Sequence, residues 1–186
     1  MTTPTEQLLV ATADLIAEIG WGNVSTRKAA TAAGLSPSLV HYHFGSVDEL
    51  RREAAVAAVD TAVGLLVTTI TAVDDASAGI ACGLEELATR SDDDRAAALI
   101  GEAALAATRD AALRERRAAI WATARRTLAS WLSTVAPALD DPEAIAATLV
   151  AAIDGAAMHR GIDPDLRVDL VGFGLSRLVT PAPSNR

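Results

Sequence analysis

An all-α fold is predicted by three features of this 186-residue sequence. Alanine, the best helix former, is the commonest residue. The alternation of β-branched and aromatic residues that marks strands is nearly absent. N-capping residues recur wherever apolar spacing of three and four begins. The expected organisation is a three-helix unit over residues 1–46, followed by about six helices over 47–186.

The elements follow in order. Thr3, Pro4 and Glu6 supply an N-cap, a first-turn proline and a capping-box acid, and Leu8, Thr12, Leu15 and Ile19 then repeat at helical spacing up to Gly20. Ser25 caps a short second helix, Thr26 to Ala33, stopped by Gly34. Ser36 and Pro37 open a third short helix, closed by Gly45. Ser46 to Glu49 reads as a capping box for a long fourth helix reaching about Val73. After a break at Asp74–Ser77 comes a helix with Ile80, Leu84 and Leu87. Ser91 with Asp92, Asp93 and Asp94 starts the next, the acids forming a solvated first turn favoured by the helix dipole. A kink at Thr108–Ala111 precedes a long amphipathic helix carrying Leu113, Ile120, Trp121, Leu128 and Leu132 up to Pro137. Asp141, Pro142 and Glu143 open a helix running to Arg160 and stopped at Gly161. Asp163, Pro164 and Asp165 open the last, which ends before Pro181 and a frayed tail.

Composition limits the function. Asp and Glu number 24 against 16 Lys and Arg, a formal net charge of −8, with a pI near 4.8; any contact with a polyanion must therefore be local. The single cysteine excludes an internal disulfide and a cysteine-rich zinc site, which fits a reducing cytoplasm. Cys82 is expected to be a small buried hydrophobe. The first residues lack the basic and apolar segments of a secretory signal. The longest charge-free apolar stretch lies between Asp60 and Asp74, short of a membrane span, so no membrane partner is expected. No phosphate loop, HExxH, nucleophile elbow or metal-ligand cluster is present, so an enzyme, a metal or a cofactor is not expected.

The informative constellation is the pair of short helices joined by Gly34, Leu35 and Ser36. A small residue, Ala30, stands four before the turn glycine, where two helices cross closely, and Val40 and Phe44 form the inward face of the third helix. Ser38, Leu39, His41 and Tyr42 fall on its other faces, as in a helix-turn-helix that presents its second short helix to the DNA major groove. His41 and His43, two apart, point to nearly opposite sides and share no metal. Trp21, between two glycines, reads as a core plug.

The segment Leu9–Leu50, with GWGNVSTRKAATAAGLSPSLVHYHFGSVDEL at its heart and YHFGS as its most specific part, resembles the DNA-binding domain of TetR-type transcriptional regulators. The resemblance implies that Ser25, Thr26 and the amides opening helix two touch phosphate, and that Arg27 reaches phosphate or a base. It further implies that Ser38, Leu39 and His41 approach base edges while Tyr42 and His43 bond the backbone, with Ser36 a further DNA-binding residue. Two positions that are often basic in the family hold Pro37 and Val47. Over residues 1–53, Arg27, Lys28, Arg51 and Arg52 are outnumbered by Glu6, Asp14, Glu18, Asp48, Glu49 and Glu53, so a shallow salt dependence of DNA binding is expected.

The resemblance also implies a C-terminal domain that dimerises and binds a small-molecule effector, in a cytoplasmic repressor of a double-stranded operator. The expected dimer interface is a stripe of Ile145, Leu149, Ile153 and Ala156 with a second of Leu166, Leu170, Phe173 and Leu178; an intrachain core is the alternative use of both. Trp121 and Arg125 share one face of the long helix with Leu128, and Glu102, Asp154 and Met158 interrupt otherwise apolar runs, so the candidate effector contacts are Glu102, Trp121, Arg125, Asp154 and Met158. The alternative function is a helical interaction or adaptor module that has lost DNA binding.

Overall fold

The computed structural model describes residues 2–89, 94–160, 162–163 and 165–179. Among these residues run nine α-helices and no strand: α1 (Pro4–Ile19), α2 (Thr26–Ala32), α3 (Pro37–Phe44), α4 (Val47–Thr71), α5 (Ala76–Thr89), α6 (Asp94–Ala107), α7 (Ala111–Val135), α8 (Pro142–Arg160) and α9 (Val168–Leu178). A single 3-10 turn, Trp21–Asn23, joins α1 to α2. The acidic run Ser91–Asp93, the expected stop at Gly161, Pro164 and the tail from Pro181 lie outside the described residues.

The caps explain most boundaries. Thr3 and Glu6 make a reciprocal capping box on α1, and the Ser25 hydroxyl accepts from the Lys28 amide at the start of α2. Gly34, at φ +68°, ends α2 in a Schellman turn. The Leu35 amide bonds to the Ala30 carbonyl and the Gly34 amide to that of Thr31. Asp141 caps α8, its carboxylate accepting from the Ala144 amide.

Other boundaries differ from expectation. At the start of α4, Ser46 accepts from the Glu49 amide, but the Glu49 carboxylate turns to Arg52 and Arg116, so the expected reciprocal box is half formed. Asp163 and Asp165 do not open α9: the Asp163 carboxylate accepts from the Asp165 amide two residues on. That local turn competes with helix initiation, and α9 begins at Val168.

The chain forms two compact units, residues 1–61 with 93–118 and residues 62–92 with 119–186. In the first, Leu8, Ile16, Val24, Ala29, Ala30, Val40, Leu50 and Leu99 build one core and Ala55, Ala103, Ala107 and Leu113 a second. Trp21 packs against both, as a core plug would. Thr12 is also fully buried there. In the second unit, Ile70, Ile80, Leu84, Leu128, Trp131, Leu132, Leu149 and Ile153 form the centre of the core. α5 turns Gly79, Ile80, Gly83 and Leu84 inward. Cys82 is therefore exposed, correcting the expectation of a buried thiol.

By length and composition α4 could cross a membrane. Its Leu50, Ala54, Ala55 and Val59 are instead buried in the first unit.

Candidate nucleic-acid interface

The helix-turn-helix is held by its small inward residues. Ala29 and Ala30 of α2 and Val40 of α3 are fully buried, so the two short helices approach closely and fix the orientation of α3. Pro37 starts α3, and the Gly45 amide, at φ +73°, closes it on the His41 carbonyl. Ser36 makes no side-chain cap; its hydroxyl pairs with that of Ser38 at 2.8 Å.

The outward face of α3 carries the sequence candidates. Ser36, Ser38, His41, Tyr42 and His43 are exposed, Tyr42 at 81%. Leu39 is half-buried and packs against the unit's own core. The Gly45 carbonyl lies 3.2 Å from His41 Nδ1. A carbonyl only accepts, so Nδ1 donates and, in the neutral ring, Nε2 is the acceptor. Thr5 Oγ1 of α1 stands 3.4 Å from His43 Nδ1. On α2, Ser25 and Arg27 are exposed and Thr26 is half-buried.

Fixed positive charge on this face is sparser than the sequence count suggests. The Arg51 guanidinium pairs with Asp48, donates to the Trp21 carbonyl at 2.7 Å and lies 5.8 Å over the Trp21 ring. Arg52 pairs with Glu49 and Asp110, each at 2.7 Å. Arg116 reaches Glu49 at 2.7 Å and Glu53 at 2.8 Å. Partial burial acts to raise the Glu49 carboxyl, but hydrogen bonds from Arg52 and Arg116 outweigh it and hold Glu49 below its ordinary value. Asp110 is likewise held low, burial being overcome by the Leu113 amide and Arg52. Arg52 and Arg116 tie α4 to the start of α7. Arg27 and Lys28 remain for the reading face, with Lys28 Nζ also donating to the Asn23 carbonyl at 3.0 Å.

The expected effector residues are not all brought together. Glu102 belongs to the first unit, where its carboxylate accepts the Trp21 amide at 2.7 Å. Its role is thus to hold the junction after α1, a function invisible in sequence because the partners lie 81 positions apart. Trp121, Arg125, Asp154 and Met158 belong to the second. Trp121 packs on the core, Asp154 is half-buried, and Arg125 and Met158 are exposed. Arg125 does not share the inward face of Leu128, which Ala124 occupies instead. A groove of about 380 Å³ lies between α5 and α9, lined by residues including Leu84, Glu85, Asp169 and Phe173; none of the four effector candidates lines it.

The α8 stripe is corrected. Leu149, Ile153 and Ala156 are buried within the chain itself, with almost no area left for a second copy, and Ile145 is half-buried against the same core. On α9, Leu170, Phe173 and Leu178 are exposed at 59%, 64% and 44%, and Leu166 is half-buried.

The all-helical architecture and the two short helices packed through buried small residues, the second presenting an exposed polar face, define a DNA-binding regulator of the helix-turn-helix class. Two family models match: bacterial regulatory proteins of the tetR family over residues 8–54, and the C-terminal domain of BetI-type transcriptional repressors over residues 81–170. A transcriptional regulator from Streptomyces coelicolor A3(2) is 30% identical, covering 96% of this chain and 99% of its own, with a TM-score of 0.76. A transcriptional regulator from Rhodococcus sp. RHA1 is 27% identical over 95% of this chain and 94% of its own, TM-score 0.73. The multidrug binding protein EbrR, solved with imidazole, is 25% identical over 98% of both chains, TM-score 0.72. No protein of curated function matches the sequence. The chain belongs to the TetR family of transcriptional regulators.

Proposed function

We propose that this regulator is a cytoplasmic, non-enzymatic repressor that binds a palindromic operator as a homodimer and is released by a small, mostly apolar effector. Residues 1–46 read DNA and residues 47–186 dimerise and bind the effector. The observation that carries the reading is the exposed polar face of α3, held against α2 by the fully buried Ala29, Ala30 and Val40. Ser36, Ser38, Leu39 and His41 meet base edges, while Ser25, Thr26, Arg27, Tyr42 and His43 meet phosphate. The exposed α9 residues Leu170, Phe173 and Leu178 meet a second copy. Trp121, Arg125, Asp154 and Met158 are the effector contacts; likeness to EbrR, a multidrug binding protein, supports this use of the C-terminal domain.

Two-fold symmetry supplies the switch. Half-sites one helical turn apart, about 34 Å, need both α3 helices at that spacing, so an effector that changes it ends simultaneous contact.

The test is Arg27→Ala and Tyr42→Phe in the full chain, with operator binding by anisotropy and mass by light scattering. Both variants should remain dimers and bind about tenfold or more weakly. Arg27→Ala should reduce the salt slope by about 2, one phosphate per protomer. A folded parent dimer with no affinity for any duplex would overturn the repressor reading in favour of an adaptor module, for which the small number of unpaired cations is the supporting feature.

A further inference from the structure

The segment Leu35–Ser46, which contains α3 and both its flanking turns, holds no Lys, Arg, Asp or Glu. Its only side chains able to become cationic are His41 and His43, two of the three histidines in the chain. Both are exposed in the last turn of α3, the end of a helix that favours positive charge. We propose that these two imidazoles make operator recognition proton-dependent: protonation supplies the charge that the reading helix otherwise lacks and changes what His41 reads. The proposal rests on the reading of α3 as the DNA-contacting helix.

The surroundings leave both rings available. Among the described residues, neither imidazole forms an ion pair. Two helices pack on α3. α1 carries Glu6, Asp14 and Glu18, of which Glu6 is engaged on the Thr3 amide; its Thr5 hydroxyl is the neighbour of His43. α2 carries Arg27 and Lys28, with Lys28 on the Asn23 carbonyl. In the first turn of α4, which follows Ser46, Asp48 is neutralised by Arg51 and Glu49 by Arg52 and Arg116. The largest change in field on DNA binding is thus the phosphate backbone itself, which favours the imidazolium.

His41 adds a change in specificity. With Nδ1 donating to Gly45, neutral His41 offers Nε2 as an acceptor, suited to the exocyclic amino group of adenine or cytosine. Protonated, the same atom donates, suited to guanine O6 or N7. Imidazole is the one side chain whose ordinary charge change falls between about pH 5 and 8. Arg27 and Lys28 in each protomer can neutralise four phosphates, a slope of about 3.6. Two further cations per protomer raise the limit to about 7.

The experiment uses the full-length protein and duplexes of about 30 base pairs, recovered by in vitro selection at about pH 5.5 and about pH 8. Affinity and salt slope are measured at both pH values for the wild type, His41→Gln, His43→Gln and the double variant, with helicity by circular dichroism as the folding control. The expected result is a tightening of roughly tenfold to a hundredfold at the lower pH, with a steeper salt slope, lost in the double variant. A shift toward guanine at one operator position, removed by His41→Gln, is expected in the selections. A flat profile, or one unchanged in the folded double variant, overturns the proposal and leaves the DNA-reading function standing. A folded dimer that binds no duplex at either pH overturns both.

Discussion

Gly79 on α5 sets a sharp test of how the second unit is packed. A Cβ added there would stand 2.5 Å from the Ile70 carbonyl oxygen and 2.7 and 2.9 Å from two Trp131 ring carbons. The first obstacle is main chain. The second is a ring anchored by its Nε1–H, which donates to the Val73 carbonyl at 3.0 Å. Gly79→Ala gains about 1 kcal/mol in helix propensity. Against this stands overpacking at about 1–3 kcal/mol, plus about 1 kcal/mol if Trp131 yields and loses its hydrogen bond. The loss exceeds the gain, and the net destabilisation is about 2 kcal/mol, a fall in Tm of roughly 4–8 °C for a chain of this size. Gly64 on α4 is the control, since a Cβ there meets nothing within 4 Å; Gly64→Ala should gain about 0.5–1 kcal/mol. The assay is urea unfolding followed by circular dichroism, at fixed protomer concentration because the stability of the proposed dimer depends on it. A Gly79→Ala variant as stable as wild type would refute the close approach of α5 to the end of α4.

Two further outcomes follow from the first unit. The Thr12 hydroxyl is buried without a hydrogen-bond partner, so Thr12→Val, of the same shape, should raise stability by about 1 kcal/mol in the same urea assay; a loss of similar size would show that the hydroxyl is satisfied. Glu49 and Asp110 are held below their ordinary values of 4.5 and 3.8. Their contribution is therefore complete above the unfolded values and is lost as pH falls through the lower folded ones. Glu49→Gln should flatten the acid limb of the stability–pH curve, and an unchanged limb would remove the ion-pair cluster from the account.

Helix boundaries were legible where a side chain closes its own helix. Thr3 with Glu6, Ser25, and Gly34 all act as their spacing implies, because capping is local. The start of α9 was not, since Asp163 satisfies a backbone amide two residues away and the cap signal is spent on a turn. Alanine-rich helices also blur the inward face. Helical spacing puts Arg125 on the face of Leu128 and residue type puts Cys82 inside, whereas Ala124 and Gly83 are the residues that pack. The α8 stripe was real, but apolar periodicity does not say whether it meets the chain's own core or another copy. Charge counting has the same weakness: Arg51 and Arg52 enter the count of N-terminal cations, but the count does not show that Asp48, Glu49, Asp110 and the Trp21 carbonyl hold them. Glu102 read as a ligand anchor because a lone carboxylate in an apolar helix looks alike whether it awaits a ligand or a main-chain amide.

The central claim, a dimer whose two α3 helices read paired half-sites, is tested most directly by selecting bound duplexes from a random library with the purified protein at near-physiological salt. An enriched inverted repeat with half-site centres one helical turn apart, about 34–36 Å, is the expected result. Enrichment of a single unpaired site, or of no sequence by a folded dimer, would contradict it.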